Sequence, residues 1–174
     1  MKRLFIGVFL SMFLLPVPAD PDDQTIRDEV NAKVTQLIEL LRDSYAQEFP
    51  DYRGIQILED KKSDRAIAVA VFTVESFALG NDYTQFMAVF ANLSEESAGH
   101  PKRLSLLDVI AVGGKGVRGV EFKSMKMERS KDGILITVPT LEYGPKDAMC
   151  CPSVKSKAQF VIDPNVGGRL REIK

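Results

Sequence analysis

Residues 66–72 read Ala-Ile-Ala-Val-Ala-Val-Phe, seven apolar side chains in succession. A strand with one face in water alternates apolar and polar residues, whereas a strand that is covered on both faces is apolar throughout. This run therefore predicts a central strand of a sheet, buried on both faces and covered by a helix on one of them.

The segment before this strand has the period of an α-helix. Between Asp22 and Phe49 the apolar side chains recur every three or four residues, at Ile26, Val30, Val34, Leu37, Ile38, Leu41 and Tyr45. Asp22 or Asp23 can cap the N-terminus of this helix, and Pro50 ends it. The apolar stripe is too short and too broad for a coiled-coil seam, so we expect the helix to pack on the sheet.

After the helix the period shortens towards two, which is typical of strands. Seven runs have this pattern: residues 55–58, 66–75, 83–92, 104–112, 120–128, 134–143 and 158–162. Turn sequences rich in glycine separate them, so we expect antiparallel hairpins. Met125 and Met127 are out of phase with Val120 and Phe122, and a bulge at residues 123–124 would restore the phase. The predicted fold class is α+β: one long N-terminal helix packed on a curved, mainly antiparallel sheet of about six strands.

The first 19 residues have the pattern of an export signal. Lys2 and Arg3 precede an apolar run over residues 4–15, and Val17-Pro18-Ala19 forms a small-residue cleavage site. The run is shorter than the roughly 20 residues that a membrane-spanning helix requires. We therefore expect a signal peptide cleaved after Ala19, with no stable membrane span afterwards; an uncleaved anchor is the alternative. Residues 20–174 are then expected to form a single α+β domain, periplasmic or secreted.

Charge excludes one class of partner. The chain has 23 basic and 24 acidic residues. Lys2 and Arg3 would leave with the signal peptide, so 21 basic residues would face all 24 acidic ones, a formal charge of −3. Binding to a phosphate backbone requires a basic excess, so nucleic acid is not expected as a partner.

Cys150 and Cys151 are the only cysteines, and they are adjacent. A disulfide between them closes an eight-membered ring and distorts its peptide, because ordinary disulfides join Cα atoms about 5.5 Å apart and a trans peptide fixes about 3.8 Å. A local, vicinal disulfide is the favoured interpretation, and Pro152 would stiffen the turn after it. Two free or separately modified thiols, an intermolecular bridge, and a functional redox or soft-metal site are the alternatives.

Two other motifs indicate loops. Gly114-x-Gly116-x-x-Gly119 spells the dinucleotide fingerprint, but a strand is predicted after it where the fingerprint needs a helix, so we interpret it as a hairpin loop. His100 is the only histidine, which excludes the two-histidine zinc motifs and predicts an exposed loop residue. We predict no catalytic residue, no metal ligand and no cofactor.

The C-terminal part of the chain is similar to a group of small exported bacterial proteins and lipoproteins that end in a Cys-Cys-Pro-Ser or Cys-Cys-Pro-Thr signature. The similarity covers roughly residues 66–174 and rests on Val112-Gly113-Gly114-Lys115-Gly116-x-Arg118-x-Val120-x-Phe122, Asp132-Gly133-Ile134, Asp147-Ala148-Met149-Cys150-Cys151-Pro152-Ser153 and Gln159-Phe160-Val161-Ile162. The group has no assigned activity, so the resemblance implies a bacterial envelope location and an antiparallel sheet, and no catalytic residue. Many of its members carry a lipoprotein cysteine after the signal. This chain has none there, which points to a soluble periplasmic or secreted form.

These observations predict a soluble exported protein of the cell envelope, a binding module rather than an enzyme. It would present a sheet face or its glycine-rich loops to an unknown protein or small-molecule partner. The alternative is a periplasmic thiol-redox or soft-metal-binding protein that uses Cys150 and Cys151, and a hydrolase built on Ser, Asp or Glu residues comes third. Sulfurs buried under Met149 and Phe160 would favour a structural ring, whereas an accessible Cys150 of low pKa beside an open cleft would favour the alternative.

Overall fold

The computed structural model describes residues 21–60, 65–92, 103–163 and 167–173. The predicted signal peptide and His100 lie outside the described residues. Within them the chain forms one α-helix and ten strands: α1 (Pro21–Leu41), β1 (Gln47–Glu48), β2 (Gly54–Asp60), β3 (Arg65–Glu75), β4 (Tyr83–Asn92), β5 (Leu104–Gly114), β6 (Gly119–Val120), β7 (Lys126–Ser130), β8 (Gly133–Glu142), β9 (Val154–Asp163) and β10 (Arg169–Ile173).

The strands form two antiparallel sheets of five strands each. In the first sheet, β3 pairs with β1 and β2 along one edge and with β4 along the other, and β5 follows β4. In the second sheet, β8 pairs with β6 and β7 along one edge and with β9 along the other, and β10 follows β9. The predicted antiparallel pairing is confirmed, but the prediction of one sheet of about six strands is wrong. On a covered face of a strand, apolar residues recur at every second position, whether a helix or another sheet covers that face. The sequence pattern therefore could not distinguish one sheet from two.

The helix and the two sheets form three layers with two cores. On β3, Ala70, Phe72 and Val74 pack with the apolar stripe of α1, whereas Val69 and Val71 pack against the second sheet. The second sheet contributes its inward side chains to that core, chiefly Val120, Met125, Ile134, Ile136, Val138, Ala158, Phe160 and Ile162. The predicted central strand, buried on both faces with a helix on one side, is confirmed.

The helix ends at Leu41, eight residues before the predicted end at Phe49. Asp43 causes the change of direction, because its Oδ1 accepts hydrogen bonds from the backbone N–H groups of Tyr45 (2.9 Å) and Ala46 (2.7 Å). Such side-chain bonds compete with the helical backbone pattern. Oδ2 also accepts the Ala78 N–H at 2.7 Å. These three donors, with Ala78 the strongest, hold the pKa of Asp43 below its ordinary value.

The predicted bulge at residues 123–124 is replaced by a 3-10 turn over Phe122–Ser124. This turn divides one predicted strand into β6 and β7 and brings Met125 into the core, with 3% of its surface exposed. The turn lies directly against β2: a Cβ atom on Gly54 would be only 2.6 Å from the carbonyl oxygen of Phe122. The division between β6 and β7 is therefore fixed by the close approach of two backbones. A sequence pattern does not reveal such an approach.

Among the described residues, no helix is both long enough and apolar enough to cross a membrane.

Candidate functional site

The glycine loop, residues 113–119, is a hairpin turn that carries the chain from the first sheet to the second. Gly114 and Arg118 exchange backbone hydrogen bonds at 2.8 and 3.2 Å. Gly116 has φ +75°, a left-handed conformation that favours glycine. The loop leads into β6 and not into a helix, which confirms the hairpin interpretation of the dinucleotide-like motif.

The Cys-Cys loop, residues 144–153, connects β8 to β9 and is closed by one carboxylate. Oδ2 of Asp147 accepts the backbone N–H of Gly144 and that of Ser153, both at 2.8 Å, and the Ser153 hydroxyl donates to the same carboxylate at 2.9 Å. These bonds join the first and last residues of the loop. These hydrogen bonds lower the pKa of Asp147 below its ordinary value; the bond from the Gly144 N–H has the largest effect, and the bond from the Ser153 hydroxyl has the next largest.

Tyr143 holds the two loops side by side. Its hydroxyl donates to the carbonyl oxygen of Met149 at 2.5 Å and accepts the backbone N–H of Gly116 at 2.9 Å. The methyl group of Met149 lies over Gly116, 3.5 Å from where a Cβ atom would stand. We call the joint end of the two loops, residues 115–117 and 149–152, the tip.

The tip carries the two cysteines. Their Sγ atoms lie at bonding distance, and their Cα atoms are 3.8 Å apart. The N–H of Cys151 donates to the carbonyl oxygen of Ala148 at 2.9 Å, which closes a turn around them. Both cysteines are exposed. The arrangement with the sulfurs buried under Met149 and Phe160 does not occur, because Phe160 lies between the sheets and Met149 is 66% exposed.

Apolar side chains at the tip face solvent, which the sequence patterns did not predict. Val117 is 64% exposed and Met149 is 66% exposed. Val117 follows Gly116 in the glycine loop, and Met149 directly precedes the two cysteines in the Cys-Cys loop; in both turns the core needs no apolar side chain. That position in a turn is the signal that could have found them.

Among the described residues, no group of three or more His, Cys, Asp or Glu side chains is placed to hold a metal ion. Comparison of the chain with protein-family models, with curated proteins and with solved structures found no match.

We expect Asp147→Ala to loosen the Cys-Cys loop without unfolding the sheets. Hydrogen exchange of the Gly144 and Ser153 amides should accelerate by roughly an order of magnitude, because each loses its acceptor. Exchange of the Phe160 amide, in the middle of β9, should not change. The matched control is Asp132→Ala in the exposed β7–β8 turn, which should leave all three rates as they are. Equal acceleration in both variants would contradict the role of Asp147.

The same carboxylate predicts the pH dependence of the loop. A carboxyl with a lowered pKa stabilises the folded loop at every pH above its ordinary pKa, and it loses that effect as the pH falls through the lowered value. We therefore expect the Gly144 and Ser153 amide chemical shifts to titrate below the ordinary range of aspartate. A midpoint at or above that range would contradict the hydrogen bonds.

Proposed function

We propose that this chain is a soluble exported protein of the bacterial cell envelope, cleaved after Ala19, that acts by binding and not by catalysis. The tip is its contact site. One observation carries the proposal: Met149 and Val117 are held in solvent on loops that Asp147 and Tyr143 fix from within. Exposed apolar patches mark interaction sites. A loop that is ordered before binding also loses less conformational entropy when it binds.

Site-specific photo-crosslinking in the living source bacterium tests this proposal. A photoreactive residue at position 149 or 117 of the full chain is expected to give a discrete adduct. The matched control is position 40, because Leu40 is also apolar and is 83% exposed, but on α1. Equal labelling from positions 149 and 40, or no adduct from the tip, would reject the tip as the contact site.

A second candidate function, thiol-disulfide exchange, is favoured by the exposure of both cysteines. A client dithiol would attack one sulfur of the disulfide, pass through a mixed disulfide, and leave Cys150 and Cys151 as two thiols while its own pair becomes oxidised. The two thiolates could also bind a soft ion such as Cu(I). A redox titration in thiol buffers, followed by alkylation and intact mass, decides this. A midpoint near the potential of the compartment would favour exchange, and one well below it would reject exchange.

We expect the disulfide to contribute little to global stability. A bond between adjacent residues closes almost no loop in the unfolded chain, and Asp147 already joins the loop ends. The double variant Cys150→Ser, Cys151→Ser should therefore lose less than about 1 kcal/mol of the free energy of unfolding in urea. A larger loss would show that the ring is a structural staple and would weaken both functions.

A further inference from the structure

The second sheet has an outer face, which is the side turned away from the first sheet. Residues directly opposite each other in an antiparallel pair point to the same side. Leu135 on β8 lies opposite Val161 on β9, and Val161 lies opposite Arg171 on β10, so all three share the outer face. The same register places these basic side chains there: Lys126, Lys155, Lys157, Arg169 and Arg171.

This outer face is basic in a chain whose formal charge is −1. All five cations are exposed. The register puts two carboxylates on the same face, Glu128 on β7 and Asp163 on β9. Five positive charges against two leave a positive surface, although the protein as a whole is slightly acidic.

The cations are spread over the face and do not converge on one point. Neighbouring strands are about 4.8 Å apart, so β7 to β10 span about 15 Å, and Lys155 and Lys157 stand about 6.8 Å apart along β9. Half-buried apolar side chains, among them Leu135, Pro139 and Leu141, lie between them. Such a spacing fits a surface of distributed negative charge better than a single anion.

The tip lies at one end of this face. The ring of Pro152 comes within 3.5 Å of the Cβ position of Gly119, and the side chain of Leu141 within 3.8 Å of it. Gly119 and Leu141 are partners in the β6–β8 pair and belong to the outer face. The tip, which carries the exposed Met149 and Val117, therefore adjoins the end of this basic face.

We propose that the outer face of the second sheet, with the tip at its end, docks on an anionic lipid surface. The cations would meet phosphate headgroups, and Met149 and Val117 would enter the region between headgroups and acyl chains. An acidic protein would match the charge, but it would not require the apolar pair beside it. This inference deepens the proposed binding function and rests on it for the role of the tip.

Vesicle cosedimentation of the purified full-length exported chain tests the inference. We expect binding to phosphatidylcholine vesicles that contain one quarter phosphatidylglycerol, no binding to phosphatidylcholine alone, and loss of binding as salt rises. Lys157→Glu should lower the partition coefficient of the protein between vesicle and water about tenfold. The control is Lys33→Glu on α1, which changes the net charge equally and should leave the partition unchanged. Met149→Asp should also weaken binding, because a carboxylate opposes insertion.

Several outcomes would overturn the inference: equal binding to both vesicle types, binding to neither, or equal effects of Lys157→Glu and Lys33→Glu. If vesicles are not bound but position 149 crosslinks to a protein, the binding function stands and the lipid inference fails. If neither occurs, both fail. Vesicle binding that depends on Lys157 and Met149 supports both.

Discussion

Replacing Glu48 with alanine is expected to lower the free energy of unfolding by about 3–5 kcal/mol. The Glu48 carboxylate pairs with the Arg53 guanidinium, and the two side chains are only 6% and 7% exposed. Nη2 of Arg53 donates to Oε2 of Glu48 at 2.6 Å, and Nε donates to Oε1. Without Glu48 the buried guanidinium of Arg53 has no counter-charge. This uncompensated charge accounts for most of the expected loss in the free energy of unfolding.

The pair also attaches α1 to the first sheet. Nη1 of Arg53 donates to the carbonyl oxygen of Asn31 at 3.0 Å, and Nη2 donates to the Thr35 hydroxyl at 2.9 Å. Urea unfolding measures the loss. The control is Glu39→Ala, because Glu39 pairs with Arg42 in solvent at 59% and 34% exposure and should cost less than about 1 kcal/mol. Equal losses in the two variants would show that burial adds nothing to the Arg53–Glu48 pair.

The long helix and the central strand could be predicted from the sequence because periodicity reports which sides of an element are covered. The 3.6-residue stripe of α1 and the continuous apolar run of residues 66–72 both correspond to buried side chains. The end of the helix could not be predicted this way. It depends on Asp43, whose second carboxylate oxygen binds the N–H of Ala78, 35 residues further along the chain.

Predicting the number of sheets requires information that the periodicity of the sequence does not contain. β10 was missed because Leu170 is its only buried residue, and one buried side chain defines no period. The site shows the same limit. The turn around Cys150 and Cys151 followed from local sequence, but the exposure of Met149 depends on Tyr143 bonding to the separate glycine loop.

A second large effect is expected at Gln85, a buried side chain of β4 that bonds to the second sheet. Its Oε1 accepts the backbone N–H of Val120 at 2.6 Å, and its Nε2 donates to the carbonyl oxygen of Val120 at 3.1 Å. Gln85→Leu fills a similar volume but leaves both backbone groups without these partners. An unpaired buried backbone group costs about 1–3 kcal/mol, so we expect a loss of about 2–5 kcal/mol in urea unfolding.

The loss of the Gln85 hydrogen bonds should also change the dynamics of the tip, because Val120 directly follows the glycine loop. When the backbone of Val120 is released, the start of β6 moves more freely, and the Gly116 amide should exchange faster even though its acceptor, the Tyr143 hydroxyl, is unchanged. The matched control is Gln159→Leu on the outer face, where the bond to Thr137 is long, at 3.4 Å, and partly exposed. That variant should cost less than about 1 kcal/mol and leave Gly116 unaffected. If Gln159→Leu destabilises as much as Gln85→Leu, or if the Gly116 amide does not respond to Gln85→Leu, the two sheets are coupled by apolar packing alone. The glycine loop would then be held by Tyr143 and not by the joint between the sheets.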